Sequence, residues 1–265
     1  MSRRPKKNPK TTPSVRDQIL ADFTTLRVPV TAEQLDEALK QAQDAGWSHL
    51  DFLHRLLSDQ AGLRRTRRIE RLINAAKFRE ALPLSTFDWS FNPSIPRLKI
   101  EALAQGDFIR RKQNVVFVGQ SGLGKSRLIQ SIGLAACMLE QHVRYITSGE
   151  LLADLTAALA DQTIHDRVRF YAKFALLIID EFAFDRIERA VCPQAASLWY
   201  KIIDARSQRL HRLGDQHRLR VVGDYLGDAP LAMAMLDRVV HGATIVKLKG
   251  KSYRVPRPGD EPTDQ

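Results

Sequence analysis

The sequence predicts an α/β fold: a parallel sheet built around a phosphate-cradling loop, preceded by a small all-helical N-terminal module. Three observations carry that prediction. Residues Asn114 to Arg127 read N-V-V-F-V-G-Q-S-G-L-G-K-S-R, an apolar strand, a glycine-rich loop and the start of a helix, the order that a nucleoside triphosphate site requires. About 55 residues further on, Phe174-Ala-Leu-Leu-Ile-Ile-Asp-Glu181 is an apolar run ending in two carboxylates. In an open parallel sheet such carboxylates stand at the carboxyl edge, where ligands bind. The N-terminal third shows only helical periodicity and carries five arginines within eight residues, Arg64, Arg65, Arg67, Arg68 and Arg71.

Composition sets the outer limits. A chain of 265 residues with 44% hydrophobic content holds a medium domain and an appendage. A net charge of +11 and a pI of about 9.9 point to a polyanionic partner, nucleic acid or a membrane surface. No apolar run is long enough to cross a bilayer, and the basic N-terminus is not followed by an apolar signal segment. The expected location is therefore cytoplasmic, with no membrane partner. The two cysteines, Cys137 and Cys192, have no ligand-like neighbours and read as reduced and structural.

Taken in order, residues 1–16 form a basic, polar tail expected to be disordered. Residues 17–86 form the helical module. Thr31-Ala-Glu-Gln34 has capping-box spacing and opens a helix with Leu35, Ala38 and Leu39 on one face. A second helix begins near Ser48, buries Leu50, Phe52, Leu53, Leu56 and Leu57, and is broken by Gly62. A third, from about Leu63 to Glu80, combines Ile69, Leu72, Ile73 and Phe78 with the five arginines. These arginines are the candidate contacts to double-stranded DNA, tracking its phosphates without reading sequence.

Residues 87–113 make a linker, aromatic and proline-broken from Phe87 to Pro96, and an entry helix that Ser94 caps, with Ile100, Leu103, Phe108 and Ile109 on its apolar face. The catalytic domain spans 114–254. Its elements are the strand Val115–Val118, a helix with Leu128, Ile129, Ile132 and Leu134, the strand Val143–Thr147 and a helix from Ser148 to Ala160. The strand ending in Asp180-Glu181 follows, then helices near 193–206 and 231–240, and an alternating strand from Ala243 to Leu248. Residues 255–265 are a polar tail.

Gly119-Gln120-Ser121-Gly122-Leu123-Gly124-Lys125-Ser126 fills the pattern G-x-x-x-x-G-K-S. Glycines let successive backbone N–H groups converge on phosphate oxygens, and the helix N-terminus adds partial positive charge. In this pattern Lys125 reaches the β- and γ-phosphates of ATP, and the Ser126 hydroxyl ligates Mg2+. Asp180 would complete the Mg2+ shell, and Glu181 would orient and activate the attacking water.

These residues resemble the IstB-like ATPases, transposition helper proteins of bacterial insertion sequences. The resemblance runs from about Asp17 to Arg254. Besides the two motifs it rests on C-P-Q-A-A-S, on G-D-Y-L-G-D-A-P-L-A-M-A-M-L-D-R and on G-K-S-Y-R. It implies an AAA+ core with strand order 5-1-4-3-2 and replicative helicase loaders as nearest relatives. It also implies ATP-dependent assembly of a homo-oligomer on DNA and delivery of that DNA to a partner transposase. Arg238, within L-D-R, then matches an arginine finger that reaches a neighbouring subunit's γ-phosphate. Two alternatives remain open: a helicase-loader-like ATPase, and a protein that binds ATP and DNA without hydrolysis.

The second alternative arises from residues 207–222, where the family's buried fourth strand and its polar sensor belong. Here the chain reads S-Q-R-L-H-R-L-G-D-Q-H-R-L-R-V-V, and unpaired charge cannot line a sheet interior. A permitted back-translation of Leu210–Gly223, read one base later, gives S-T-A-L-V-T-N-I-D-F-E-S-W, a buried strand ending in Thr-Asn. Compensating single-base changes would explain the segment and would leave Gln216 at the sensor position. The coding DNA tests this directly, since codons incompatible with that string rule it out. The basic faces in turn predict DNA affinity that falls steeply between low and moderate salt, measurable by fluorescence anisotropy; affinity indifferent to salt would remove them as the DNA site.

Overall fold

A computed structural model describes residues 13–181, 194–207 and 229–253. The chain divides into two compact units between Arg68 and Ile69.

The first unit is helical. α1 (Val15–Thr25) and α2 (Ala32–Asp44) each open with a capping box, Ser14 with Asp17 and Thr31 with Gln34. Each box satisfies two otherwise orphaned N–H groups. The box at Thr31 was legible in the sequence, whereas α1 gave no periodic signal. α3 (His49–Ala76) is 28 residues long and starts where Ser48 Oγ accepts the Asp51 N–H at 3.2 Å. Gly62 does not break it, contrary to the sequence expectation. A glycine inside a helix costs only about 1 kcal/mol against alanine, and here the helix continues on both sides. Its far end is Ala76 rather than Glu80, because Lys77 takes a left-handed turn (φ 60°). Val30, Leu35 and Leu56 form a small buried cluster, with Phe23 and Phe52 packed around it. Leu39, Leu50, Leu53 and Leu57, expected to be buried, are exposed: so few elements cover only one stripe of a helix.

The second unit is a mixed α/β structure with parallel strands. β1 (Val115–Val118) pairs with β4 (Thr244–Lys247), and β2 (Val143–Thr147) with β3 (Leu176–Asp180). The fourth strand of the family, expected at 207–222, falls almost wholly outside the described residues. α4 (Arg97–Ala104) and α5 (Asp107–Arg110) replace the single entry helix, because Gly106 at φ 78° breaks it. Ser94 is not its cap; its hydroxyl donates to Lys249 O at 2.8 Å.

Around the strands lie α6 (Lys125–Met138), α7 (Ser148–Ala160), α8 (Ile164–Ala172), α9 (Ala195–Ser207) and α10 (Ala229–Val240). α8 was not foreseen. Trp199 is the largest side chain in the core that joins α7, α8, α9 and α10, among Leu151, Leu155, Ile202 and Met235. A second core places Leu123 and Leu128 against Phe87, Ile100 and Val246. A third carries Leu72 and Ala76 of α3 against Ala136, Cys137 and Ile178.

A strap from Lys77 to Thr86 lies across α6. Gln130, 3% exposed, accepts the N–H groups of Arg79 (2.8 Å) and Glu80 (3.0 Å) on its Oε1 and donates from Nε2 to Ser126 O (3.1 Å). Ser131 Oγ donates to Leu82 O at 2.8 Å.

Two outcomes follow from this packing. Trp199→Ala should lower the stability of the second unit by about 3–5 kcal/mol, the transfer and cavity cost of a buried indole, read from urea denaturation. Burial pushes the Cys137 thiol up to about 11. It should resist maleimide at pH 8 in the folded protein and react once unfolded, as peptide mass spectrometry would report.

Candidate nucleotide-binding site

The loop expected to cradle phosphates connects β1 to α6. Gly122 and Gly124 sit at φ 79° and 78°, the left-handed region that a side chain disfavours. A Cβ on Gly122 would also collide with Ser252, and one on Gly124 would lie 3.1 Å from the Phe87 ring. Leu123 is not at the loop surface; it is 2% exposed and anchors the loop in the core. The segment behind the loop runs from Gly250 to Tyr253. Tyr253 N donates to Gly122 O at 2.7 Å, its ring packs on Phe87 and Phe91, and its hydroxyl donates to Asp88 O at 2.9 Å. Asn92 exchanges hydrogen bonds with the Lys251 backbone at 2.6 and 2.8 Å. The aromatic linker and the C-terminal segment thus brace the loop from behind, a role neither stretch betrays in sequence.

Lys125 opens α6 and donates from Nζ to Gly119 O (2.8 Å) and Gln120 O (2.5 Å). Its ammonium therefore lies over the loop's own carbonyls. Ser126, next on the helix, has its carbonyl held by Gln130.

β3 delivers the carboxylates. Asp180 is 8% exposed; its Oδ2 accepts from Tyr145 OH at 2.9 Å and its Oδ1 from Glu181 N at 2.9 Å. Burial, then the bond to Asp180, pushes the Tyr145 phenol well above its ordinary range, so it stays a donor. Glu181 has φ 57°, which turns the chain out of the strand. Its carbonyl accepts from Ser148 Oγ at 3.1 Å, and its Oε1 pairs with Arg79 Nη1 at 2.9 Å. Arg79 also reaches Glu150 Oε1 at 3.7 Å. Burial pulls its pKa down, but the charges of Glu181 and Glu150 prevail and leave it raised. Arg79, Gln130 and Tyr145 were not singled out in the sequence, and no local motif marks them.

The other candidates lie elsewhere. Arg238, on α10, pairs with Asp204 of α9 (Nη2 to Oδ1, 3.3 Å), and its guanidinium lies 4.7 Å from the Tyr200 ring centroid. Arg64, Arg65, Arg67, Arg68 and Arg71 are all exposed on α3. By helical periodicity Arg64, Arg67, Arg68 and Arg71 share one stripe, and Arg64 Nη2 donates to Arg27 O at 2.5 Å. Among the described residues no group of three or more His, Cys, Asp or Glu side chains is placed to hold a metal, and no helix is long and apolar enough to cross a membrane.

Residues 21–258 match the family model described as IstB-like ATP binding protein. The chain belongs to that family. It is 32% identical to the insertion sequence IS5376 putative ATP-binding protein of Geobacillus stearothermophilus, over 87% of this chain and 90% of that protein. It is 30% identical to the insertion sequence IS232 putative ATP-binding protein of Bacillus thuringiensis subsp. berliner, over 90% and 94%. A crystal structure of DnaI matches with a TM-score of 0.41 and 17% identity, over 69% of this chain and 93% of that one; that likeness is too weak to argue from.

In an ATP-binding family the glycine loop between β1 and α6 is the candidate phosphate site. Lys125→Ala should weaken ATP binding by about 10- to 100-fold, the worth of a charge-assisted contact, read by titration with a fluorescent ATP analogue.

Proposed function

We propose that this IstB-like protein is an ATP-dependent, DNA-binding transposition helper that assembles on target DNA and delivers it to a partner transposase, hydrolysing ATP with Mg2+. The observation that carries the reading is one compact unit holding both the glycine loop, with Lys125 and Ser126, and a parallel strand ending in Asp180 and Glu181. The curated relatives, by their names, belong to insertion sequences, which supports a transposase as partner.

On this reading the loop N–H groups and Lys125 hold the phosphates. Ser126 and Asp180 supply hard oxygen donors of the type Mg2+ prefers. Few protein ligands suit that ion, which usually keeps waters and substrate phosphates. When bound, the ion neutralises charge that develops on the phosphates. Glu181 accepts a proton from the water whose oxygen adds to the γ-phosphorus, while the bond to the bridging oxygen breaks and ADP departs. Tyr145 keeps the Asp180 carboxylate fixed from the opposite strand. The exposed arginine stripe of α3 would contact DNA phosphates. Arg238 would complete the site of a neighbouring subunit, which makes the working form a homo-oligomer. The two described strand pairs fit a AAA+ sheet of order 5-1-4-3-2.

A second reading has its own observation. The charged sequence at 207–222 favours a family member that binds ATP and DNA without turnover. Steady-state phosphate release with and without duplex DNA separates the two. The proposal expects DNA-stimulated hydrolysis, which Glu181→Gln abolishes while ATP binding persists. Bound ATP with no release in the unaltered protein would establish the second reading, and normal hydrolysis by Glu181→Gln would remove Glu181 as the base.

A further inference from the structure

A cavity of about 440 Å3 opens between the strap, β2, α7 and α8, and no residue of the glycine loop lines it. It lies wholly within the second unit and is the size of a small-molecule pocket, about 300–1,000 Å3. Its charges do not cancel: Lys77, Arg79, Arg144 and Arg167 face Glu150 and Asp154. Arg79 reaches Glu150 at 3.7 Å and Arg167 reaches Asp154 at 3.5 Å, which leaves Lys77 and Arg144 without an ion pair among the described residues. Arg144 Nε is buried with no hydrogen-bond partner among those residues, and its Nη1 reaches Ala75 O only at 3.4 Å. A buried N–H left unpaired is rare in a folded chain and calls for a group that completes it. The aromatic wall is divided in the same way. The Tyr145 and Tyr171 hydroxyls are engaged by Asp180 (2.9 Å) and Asp154 (2.7 Å), whereas Phe170 is 39% exposed. Edge-to-face contacts with Tyr171 and Phe174 at 5.1 and 5.2 Å hold its ring, and Arg167 lies 5.9 Å from its centroid.

We infer that this cavity is a second nucleotide site, separate from the glycine loop, and that it takes a free ribonucleoside monophosphate. A phosphate monoester carries about two negative charges near pH 7, which matches the two uncommitted cations. The Arg144 guanidinium offers it a fork that suits phosphate oxygens, and Lys77 adds a point charge. Glu150 and Asp154 accept hydrogen bonds only, so they suit ribose hydroxyls and repel a longer phosphate chain. The Phe170 ring and the Arg167 guanidinium beside it form a platform on which a base can stack. A DNA strand fits these features less well, because each phosphodiester carries a single charge and its sugar lacks the 2′-hydroxyl. The site goes beyond the proposed ATPase and does not depend on turnover at the loop.

The test is isothermal titration calorimetry of the full chain with AMP, in a Lys125→Ala background that disables the loop site. One AMP should bind per chain. Adding Arg144→Gln should weaken it about 10- to 100-fold, the worth of a charge-assisted contact, and adding Phe170→Ala about fivefold or more, the worth of a stacked base. Because Phe170 is exposed, its variant keeps the test open if Arg144→Gln does not fold, which circular dichroism reports. Absence of saturable binding up to millimolar AMP overturns the site, and so does AMP affinity that neither substitution changes. A short single-stranded oligonucleotide that binds through Arg144 where AMP does not would make the cavity a strand contact and overturn the free nucleotide. None of these outcomes bears on ATP hydrolysis at the loop, so the two readings stand or fall separately.

Discussion

Three backbone groups from two segments converge on the side chain of Gln130, and its amide can satisfy all three only in one pose. Its oxygen takes the N–H groups of Arg79 and Glu80, and its nitrogen serves the Ser126 carbonyl. Because the residue is 3% exposed, water cannot substitute readily, and each group left unsatisfied would cost about 1–3 kcal/mol. The strap is thereby tied to the turn of α6 that carries the candidate Mg2+ ligand, Ser126. Ser131 repeats the attachment one position on, through Leu82 O. The position of Arg79, and through it the environment of Glu181, follows from this buried amide.

The two carboxylates at the end of β3 differ because the chain turns between them. Asp180 still belongs to the strand, is buried, and has both oxygens bonded, one by Tyr145 of β2 and one by the next residue's N–H. Glu181 lies in the left-handed region, which costs a residue with a Cβ roughly 1–2 kcal/mol. Its N–H bond to Asp180 and its carbonyl bond to Ser148 offset that cost. One carboxylate is therefore fixed in a buried network, and the other is turned toward solvent with a single ion-paired oxygen. Such a division suits a rigid metal ligand beside a group that must exchange protons.

The parts of this arrangement legible in the sequence are those that chain neighbours determine. The capping box at Thr31, the strand before the glycine loop, and the apolar run ending in Asp180-Glu181 all follow from local spacing, and each is where it was expected. Arg79 gave no such signal, because its partner Glu181 is 102 residues away and an arginine among many basic residues carries no periodicity. Gln130 likewise reads as an unremarked polar residue within an amphipathic helix. Gly62 misled for a related reason: local propensity marks a weak point, but the residues on either side keep α3 continuous. The exposed Leu50, Leu53 and Leu57 show the limit of hydrophobicity as a guide where too few elements are available to cover a helix. The G-K-S-Y-R run carried the family resemblance in sequence, and its physical role, bracing Gly122 through Tyr253, emerges only from contacts with the linker.

Arg238 bears on how a proposed intersubunit role and observed intrachain contacts could coexist. Its guanidinium is paired with Asp204 and set over Tyr200, contacts within its own chain. Both contacts are partly exposed, however, and an exposed pair or cation–π contact is worth about 1 kcal/mol or less. A charge-assisted bond to a phosphate is worth about 1.5–3 kcal/mol, enough to draw the side chain away. The backbone, by contrast, stays tied: Asn114, just before β1, donates to both Arg238 O (3.3 Å) and Val239 O (3.0 Å). The end of α10 is thus fixed to the start of the strand that leads into the phosphate loop, while the guanidinium is held by contacts weak enough to exchange. For an arginine proposed to serve a second subunit, a firmly held backbone and a loosely held charge is the combination that lets it reach out without disturbing the site it comes from.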